Sequence, residues 1–265
     1  MRKFFTLLRI SIKSNVYYRT SMILNMLTPL VVLLGQIFMW RGLYNLSSDN
    51  SFAGMTKSMM YSYILIAFVL NNSMNWSTES RLSKEIRNGD VVAKIIRPTS
   101  FLSQNIANMF GGVIVQGFFY VIFCIMIFSC FKDRLFIPTA ANMLLFIVSA
   151  ILGLIIRMAI NDFFGLLCFY VTGYLGIVWM KNAIISFFSG AFIPITLFPE
   201  KMKIIGSFLP FEYMIHVPIA IFMGKYQLYE IAFGFCVQIG WIVFFFFLHS
   251  VIYRRIRVNM VIAGG

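Results

Sequence analysis

The sequence predicts an all-α, polytopic membrane protein with six transmembrane helices, a re-entrant half-helix region before the sixth, and both termini in the cytoplasm. The 265-residue chain is 60% hydrophobic with a mean hydropathy of +0.85, far more apolar than an average soluble domain. Its charged residues make up only 12% of the chain and cluster between long apolar runs. Spans and short loops consume nearly all of residues 1–265, so we expect one membrane domain.

The charge distribution indicates how the chain is oriented. A net charge of +13 would suggest a nucleic-acid partner in a soluble protein. Here the segments 1–20 and 77–100 carry five basic residues each and the C-terminal tail carries three, whereas the remaining loops together carry seven. Because cytoplasmic loops gather Lys and Arg, this asymmetry favours six spans with both termini inside and no nucleic-acid partner.

The N-terminal segment, residues 1–20, contains five basic residues and no acidic one. Apolar residues recur at every fourth position on one helical face, and basic residues lie off that face. The pattern consists of Phe4, Leu8, Ile12 and Val16 on the apolar face and Arg2, Arg9 and Lys13 off it. It predicts an amphipathic helix in the inner membrane interface, and a basic tail that merely sets topology is an equal alternative.

Six apolar runs are long enough to approach the bilayer's hydrocarbon thickness of about 30 Å. We expect spans at 22–40, 58–76, 105–130, from 138 onward, at 174–195 and at 229–251, with a kink at Pro29 in the first. Near the end of the second, Asn71 and Asn75 fall on one face. Such amides either bond across helices or line a transport pathway.

The fourth apolar run is interrupted by Arg157 and Asp162. Either these residues form a turn after a short span or they lie low in one long helix. A charge near the bilayer centre costs about 2.5–3.5 kcal/mol on insertion scales, so we place both near the inner interface. Lys181, in the first turns of the fifth span, is expected to extend to the inner surface.

The most charged part of the chain is residues 77–100, with five basic and three acidic residues. Asn88, Gly89 and Asp90 should break it into two short pieces. An ordinary solvated loop is the simplest interpretation. The segment is longer than a link between spans requires and is amphipathic at both ends, which favours a docking element for a cytoplasmic partner.

The segment 187–225 is apolar, yet proline and glycine interrupt it repeatedly. Because proline removes a backbone donor and clashes with the preceding turn, one straight span is excluded. We expect a span ending near Pro194, a turn around residues 198–200 and half-helices that dip back into the membrane within 196–225. Broken helices of this kind mark transport routes, whereas a buried helical hairpin without a transport role is the alternative.

Catalytic motifs are missing from the sequence. No GxxxxGK[ST] phosphate loop occurs, so ATP hydrolysis by this chain is not expected. Glu212 and His216 are spaced for one helical face and would suit a metal ion, a proton relay or, more simply, a local cap. We expect no bound metal and no enzymatic role. The few ionisable groups in the apolar runs also argue against proton- or sodium-driven transport.

Two stretches resemble a known family. The string SGAFIPITLFPEKMKIIGSFLPFEYMIHVPIAIFMGK at 189–225 resembles the signature of ATP-binding-cassette (ABC) type-2 exporter permeases, closest to a six-span bacterial subgroup. The string EIRNGDVVAKIIRPTS at 85–100 is similar to the inner loop of that subgroup, although Ile95 and Ile96 replace a commoner Leu pair.

The resemblance implies an export permease of the bacterial plasma membrane. The aromatic and Met-rich spans would suit an amphipathic or apolar substrate, such as a drug, peptide or lipid-like molecule. The resemblance also implies a second permease, identical or homologous, surrounding membrane lipid, and a separate ATPase that binds ATP and Mg²⁺. The expected route is lined by the first, second and fifth spans. The alternative function is a secondary carrier or membrane assembly factor without an ATPase.

The same resemblance assigns roles to particular residues. Coupling to the ATPase is expected at Glu79, Arg81, Glu85, Arg87, Asp90 and Arg97, and on the N-terminal helix at Arg2, Phe4, Leu8 and Arg9. An outer gate is expected at Gly190, Pro194, Pro199, Pro210, Phe211, Glu212 and His216.

Overall fold

The computed structural model describes residues 2–17, 19–46, 51–52, 54–73, 78–97, 99–130, 135–171 and 174–259. Nearly all of them are helical, which confirms the all-α class. The helices are α1 (Arg2–Tyr17), α2 (Arg19–Leu46), α3 (Lys57–Ser73), α4 (Thr78–Arg87), α5 (Asp90–Ile95), α6 (Phe101–Cys130), α7 (Ala140–Leu167), α8 (Tyr174–Phe188), α9 (Glu200–Ser207), α10 (His216–Phe222) and α11 (Leu228–Asn259).

Within the described residues, four helices are long and apolar enough to cross a membrane. They contain the segments Leu27–Leu46 of α2, Phe101–Ser129 of α6, Ala140–Leu167 of α7 and Leu228–Ile256 of α11. These helices confirm a polytopic membrane protein. Helices α3 and α8 have 17 and 15 residues, below the roughly 20 that a perpendicular span uses, so the count of six spans stays a prediction.

The structure gives the ends of the helices in the fourth and fifth apolar runs. The sequence left the end of the fourth run open and placed the end of the fifth too far along the chain. Arg157 and Asp162 lie in one continuous helix, α7, so the alternative of a turn at these charges is wrong. Helix α8 stops at Phe188 rather than near Pro194, because Gly190 adopts a positive φ of 78° that ends the helix. Pro29 lies inside α2, where a kink is still a prediction.

Two helices extend beyond the predicted spans. Helix α2 continues to Leu46, and a short antiparallel hairpin of β1 (Ser51–Phe52) and β2 (Met55–Thr56) follows it. Among the described residues of 41–57, the end of α2 and this hairpin are therefore regular. Helix α11 runs to Asn259 and so includes the three basic residues of the C-terminal tail.

Two apolar cores hold the bundle together. The larger core is built mainly from α3, α7, α10 and residues 213–215, and every residue of α10 is buried. The smaller core joins α4 and α5 to α6, α7 and α11 through Leu82, Val91, Phe101, Leu166 and Ile256. The first core positions the segment 189–225, and the second positions the charged segment 78–97.

Candidate functional site

Helices α4 and α5 form a folded platform rather than a solvated loop. Gly89 has a φ of 78° and separates the two helices, which confirms the predicted break at Asn88, Gly89 and Asp90. Leu82 of α4 and Val91 of α5 are buried against Phe101 of α6. The opposite surface of the platform is charged and exposed.

The six predicted coupling residues differ in their accessibility. Arg87, Asp90 and Arg97 are exposed. Arg81 and Glu85 are half-buried and form a loose ion pair, with Arg81 Nε 3.8 Å from Glu85 Oε1. Glu79 is completely buried. The platform thus has a group of accessible charges on one side and a carboxylate inside the bundle on the other.

A chain of polar contacts, here the Asp162 network, runs from Glu85 through Lys94, Asn105 and Asp162 to His249. Lys94 Nζ donates to Glu85 Oε2 at 2.9 Å and to Asn105 Oδ1 at 2.8 Å. Asn105 Nδ2 donates to Asp162 Oδ1 at 2.9 Å, and the other oxygen of Asp162 pairs with His249 Nδ1. The network therefore connects the platform to α6, α7 and α11.

Lys94 anchors the platform end of this network. Its ammonium is buried, and the backbone carbonyl of Lys94 accepts a hydrogen bond from Gln104 Nε2 at 2.8 Å. Burial lowers the pKa of Lys94 to about 8, and neighbouring Arg81 acts in the same direction, whereas Glu85 and Asp162 oppose the shift. A charge held in this way resists withdrawal of α5 from the bundle.

A second polar group, here the Lys181 cluster, consists of Glu79, Asn161 and Lys181. Lys181 Nζ pairs with the Glu79 carboxylate and donates to Asn161 Oδ1 at 2.6 Å. All three side chains are buried, so the prediction that Lys181 extends to the surface is wrong. Nearby, Arg157 Nη2 donates to Asn182 Oδ1 at 3.4 Å. The cluster joins α4, α7 and α8.

Sequence reasoning missed both groups of contacts. It placed few ionisable residues inside the bundle, whereas Glu79, Asp162, Lys181, Arg157 and His249 are all buried. The available signal was the presence of charged residues within long apolar runs, because intramembrane charges normally face a partner inside the bundle. The identity of each partner could not be read from that signal.

Helix α1 packs on α6. Phe4 and Leu8 are half-buried and Arg9 is exposed, while Arg2 is the first residue of the helix. Ser11 Oγ donates to the carbonyl oxygen of Asn108 at 3.1 Å. The helix therefore lies against protein along the face that contains Ser11.

At the start of the segment 189–225, Gly190 is held between α3 and α10. Tyr63 Oη donates to the carbonyl oxygen of Gly190 at 2.8 Å and lies 3.5 Å from His216 Nδ1. A Cβ on Gly190 would lie 2.6 Å from that phenol oxygen. Together with its positive φ, this contact explains why glycine occupies the position.

Pro194, Pro199 and Pro210 lie between the short helices of the segment, whereas Pro218 lies in the first turn of α10. Pro194 is buried and precedes a 3₁₀ turn at Ile195–Leu197, and Pro199 is exposed and precedes α9. Pro210 is buried, and the ring of the half-buried Phe211 lies 6.4 Å from that of Phe188. The predicted breaks into short helices are thus present, whereas re-entry into a membrane stays a prediction.

Glu212 and His216 do not share one helix. Glu212 begins a 3₁₀ turn that ends at Met214, and Ile215, with φ −130° and ψ −55°, separates it from α10. The argument that helical spacing places both side chains on one face is therefore wrong. Burial raises the pKa of Glu212 to about 7.

The 3₁₀ turn at Glu212–Met214 is fixed to two long helices. Gln238 of α11 is fully buried, and its Nε2 donates to the carbonyl oxygens of Tyr213 at 2.7 Å and Ser149 at 3.1 Å. Gly153 of α7 lies so close that a Cβ there would be 2.8 Å from the carbonyl oxygen of Met214. The turn therefore cannot shift without disturbing α7 or α11.

Of the two predicted pathway residues, Asn71 lies near the end of α3. Asn71 is half-buried, and its neighbour Asn72 donates to the carbonyl oxygen of Phe68 at 2.8 Å. Asn75 lies outside the described residues. Another cavity, of about 400 Å³, lies beside α8 and is lined by Asn182, Ala183, Ser186, Phe187, Phe192, Ile193 and Phe198.

Comparison with known families gives the function class. The model of the family described as ABC-2 family transporter protein matches residues 30–264, which include both polar groups and the segment 189–225. The chain belongs to the ABC-2 transporter family. This confirms the resemblance seen in the sequence, and the permeases of the family are transport subunits that work with ATPase subunits and are generally not catalytic themselves. No curated protein matches this permease.

Proposed function

We propose that this permease is the membrane subunit of an ATP-driven exporter in a bacterial plasma membrane and that the α4–α5 platform is its ATPase dock. The observation that carries the proposal is the two-sided platform. Arg87, Asp90 and Arg97 are exposed on one side, and Lys94 is buried on the other. A protein that binds the exposed charges would be mechanically connected to the spanning helices.

The Asp162 network supplies this connection. Charges in a low-dielectric interior interact strongly and are costly to separate, so its members favour concerted movement. Displacement of α5 would move Lys94. The contacts of Lys94 through Asn105 and Asp162 would pass this movement to α6, α7 and α11. ATP and Mg²⁺ would be bound by the partner ATPase, and α1, packed on α6, would form the edge of the dock.

The proposed topology uses α3 and α8 as the second and fifth of six spans, with both termini cytoplasmic. Helices α2 and α8 present exposed apolar side chains, including Val31, Phe38, Leu175 and Trp179. We assign these faces to a second permease, identical or homologous, and to membrane lipid. The short helices α9 and α10 would be re-entrant and close the outer end of the pathway.

The proposed route passes along α8. In a spanning helix, polar side chains face a partner or a water-filled space rather than lipid. Asn182 and Ser186 line the 400 Å³ cavity together with Phe187, Phe192 and Phe198. This mixture of amide, hydroxyl and aromatic groups suits an amphipathic substrate moving outward, such as a drug, peptide or lipid-like molecule.

A secondary carrier is the second candidate, because the Asp162–His249 pair places a carboxylate and an imidazole inside the bundle. Such a pair is suited to proton coupling. A carrier would transport under a proton gradient without nucleotide, whereas the exporter requires ATP. A membrane assembly factor would do neither.

The test is purification of the tagged permease in mild detergent from its native host, with mass identification of bound proteins. We expect an ABC ATPase at a fixed stoichiometry, and the same preparation would show whether a second permease is present. Recovery of the chain without an ATPase in several detergents would refute the exporter and favour the carrier.

Charge reversal then tests the dock. Arg87→Glu with Asp90→Lys should reduce ATPase recovery strongly, because both side chains are exposed on the platform. The matched control is Lys201→Glu, an exposed charge on α9. Equal recovery from the double variant and the control would remove the platform from the ATPase interface.

A further inference from the structure

Glu79 and Lys181 form a buried ion pair that joins the platform to α8. Glu79 is 0% exposed and Lys181 is 3% exposed. Asn161 of α7 accepts a second hydrogen bond from Lys181 at 2.6 Å. One ammonium thus binds oxygens from two other helices at the same time.

Helix α8 has few buried residues in the described bundle. Its buried residues are Val178, Lys181 and Ile185, and its main packing partner is α4. Its exposed face includes Trp179 at 74%. The buried polar contacts of α8 are therefore concentrated in the turn around Lys181, where the adjacent Asn182 also accepts a bond from Arg157 of α7.

Electrostatics favour movement of α4 and α8 together over movement of α4 alone. Moving α4 away from Lys181 would separate a buried carboxylate from the ammonium that it contacts in an apolar interior, which is strongly unfavourable. Moving α4 and α8 together keeps the pair intact. Asn161 is a neutral partner and can release the ammonium at a lower cost than Glu79 can.

We propose that Glu79 and Lys181 are positioning residues whose ion pair transmits displacement of α4 to α8. This inference rests on the proposed exporter function, in which α4 belongs to the ATPase dock and α8 lines the route. Glu79 then couples the two from inside the bundle, without itself contacting the ATPase.

The experiment uses the full complex of permease and ATPase in lipid nanodiscs. In a background with the four native cysteines replaced, an environment-sensitive fluorophore is attached separately at Lys84→Cys on α4 or Trp179→Cys on α8, both exposed positions. Emission is compared with and without ATP plus vanadate. We expect the nucleotide to change emission at both positions.

Glu79→Gln should keep the nucleotide response at position 84 and lose it at position 179. The exchange of charges in Glu79→Lys with Lys181→Glu should restore the response at 179, which a role in folding alone would not predict. The control Glu200→Gln removes one member of the exposed Glu200–Lys203 pair on α9 and should change neither response.

The outcomes separate the two proposals. If Glu79→Gln keeps the full nucleotide response at both positions 84 and 179, transmission by this ion pair is refuted. The proposed exporter function is not affected by that result. Failure of the folded charge-exchanged variant to restore the response also refutes it. Absence of any response at position 84 in the otherwise unaltered complex refutes the exporter function and with it the inference.

Discussion

Gly153→Ala is predicted to destabilise the protein by forcing apart α7 and the turn at Glu212–Met214. Added at Gly153, a Cβ would lie 2.8 Å from the carbonyl oxygen of Met214, 3.0 Å from its Cα and 3.1 Å from the carbonyl oxygen of Tyr213. All three neighbours are backbone atoms, so no side-chain rotation relieves the overlap. Gln238 also holds Tyr213 in place from the opposite helix.

The expected magnitude is the difference between two effects. Overpacking a close contact costs about 1–3 kcal/mol. Replacing glycine by alanine inside a helix returns up to about 1 kcal/mol through helix propensity. Because the turn is fixed on both sides, we expect the upper part of the overpacking range and a net loss of about 1–2 kcal/mol in the free energy of unfolding.

The assay is unfolding in mixed micelles with increasing dodecyl sulfate, followed by circular dichroism. The matched control is Gly240→Ala in α11, where a Cβ meets nothing within 4 Å. That variant should equal the unaltered protein or exceed it by up to about 1 kcal/mol. If the two variants unfold alike, the close contact at Gly153 does not constrain the turn and the reasoning is refuted.

Three further perturbations test other contacts. Gly111→Ala should displace α1, because the new Cβ would overlap the Ser11 side chain, and limited proteolysis of α1 should become faster; unchanged cleavage would contradict the packing. Tyr63→Phe removes the hydrogen bond to Gly190 and should lower the free energy of unfolding by about 0.6 kcal/mol, at most about 1.7, in the same micelle assay. The raised pKa of Glu212 means that the folded state holds the proton more tightly, so stability should fall as pH rises from 4.5 to about 7. Glu212→Gln should remove this fall, and an identical pH profile for the variant would assign the dependence to another group.

Local sequence features determined the elements of this protein. Long apolar runs form the spanning helices, because a helix satisfies its backbone polar groups internally and its apolar side chains are stable in the hydrocarbon core. Gly89 divided the charged segment into two helices, and Pro194 and Pro199 directly precede short helices of the segment 189–225. These features act within a few residues, so they could be read directly and connected with the ABC-2 family.

Helix ends were predictable only in part. Gly190 ended α8 earlier than Pro194 would have, because a positive φ at glycine stops a helix before the proline is reached. The spacing of Glu212 and His216 gave a wrong shared face, since a backbone break at Ile215 lies between them. Residue spacing predicts a shared helical face only where both residues lie in one continuous helix.

The tertiary structure alone decided which polar groups meet. Glu79 and Lys181 are 102 residues apart, and Asp162 and His249 are 87 apart. The sequence showed that these charges lie in or beside apolar runs, but each has several possible partners at similar depth. Packing of α4, α7, α8 and α11 selects among them, because burial leaves a charge stable only beside the partner that the fold places within reach.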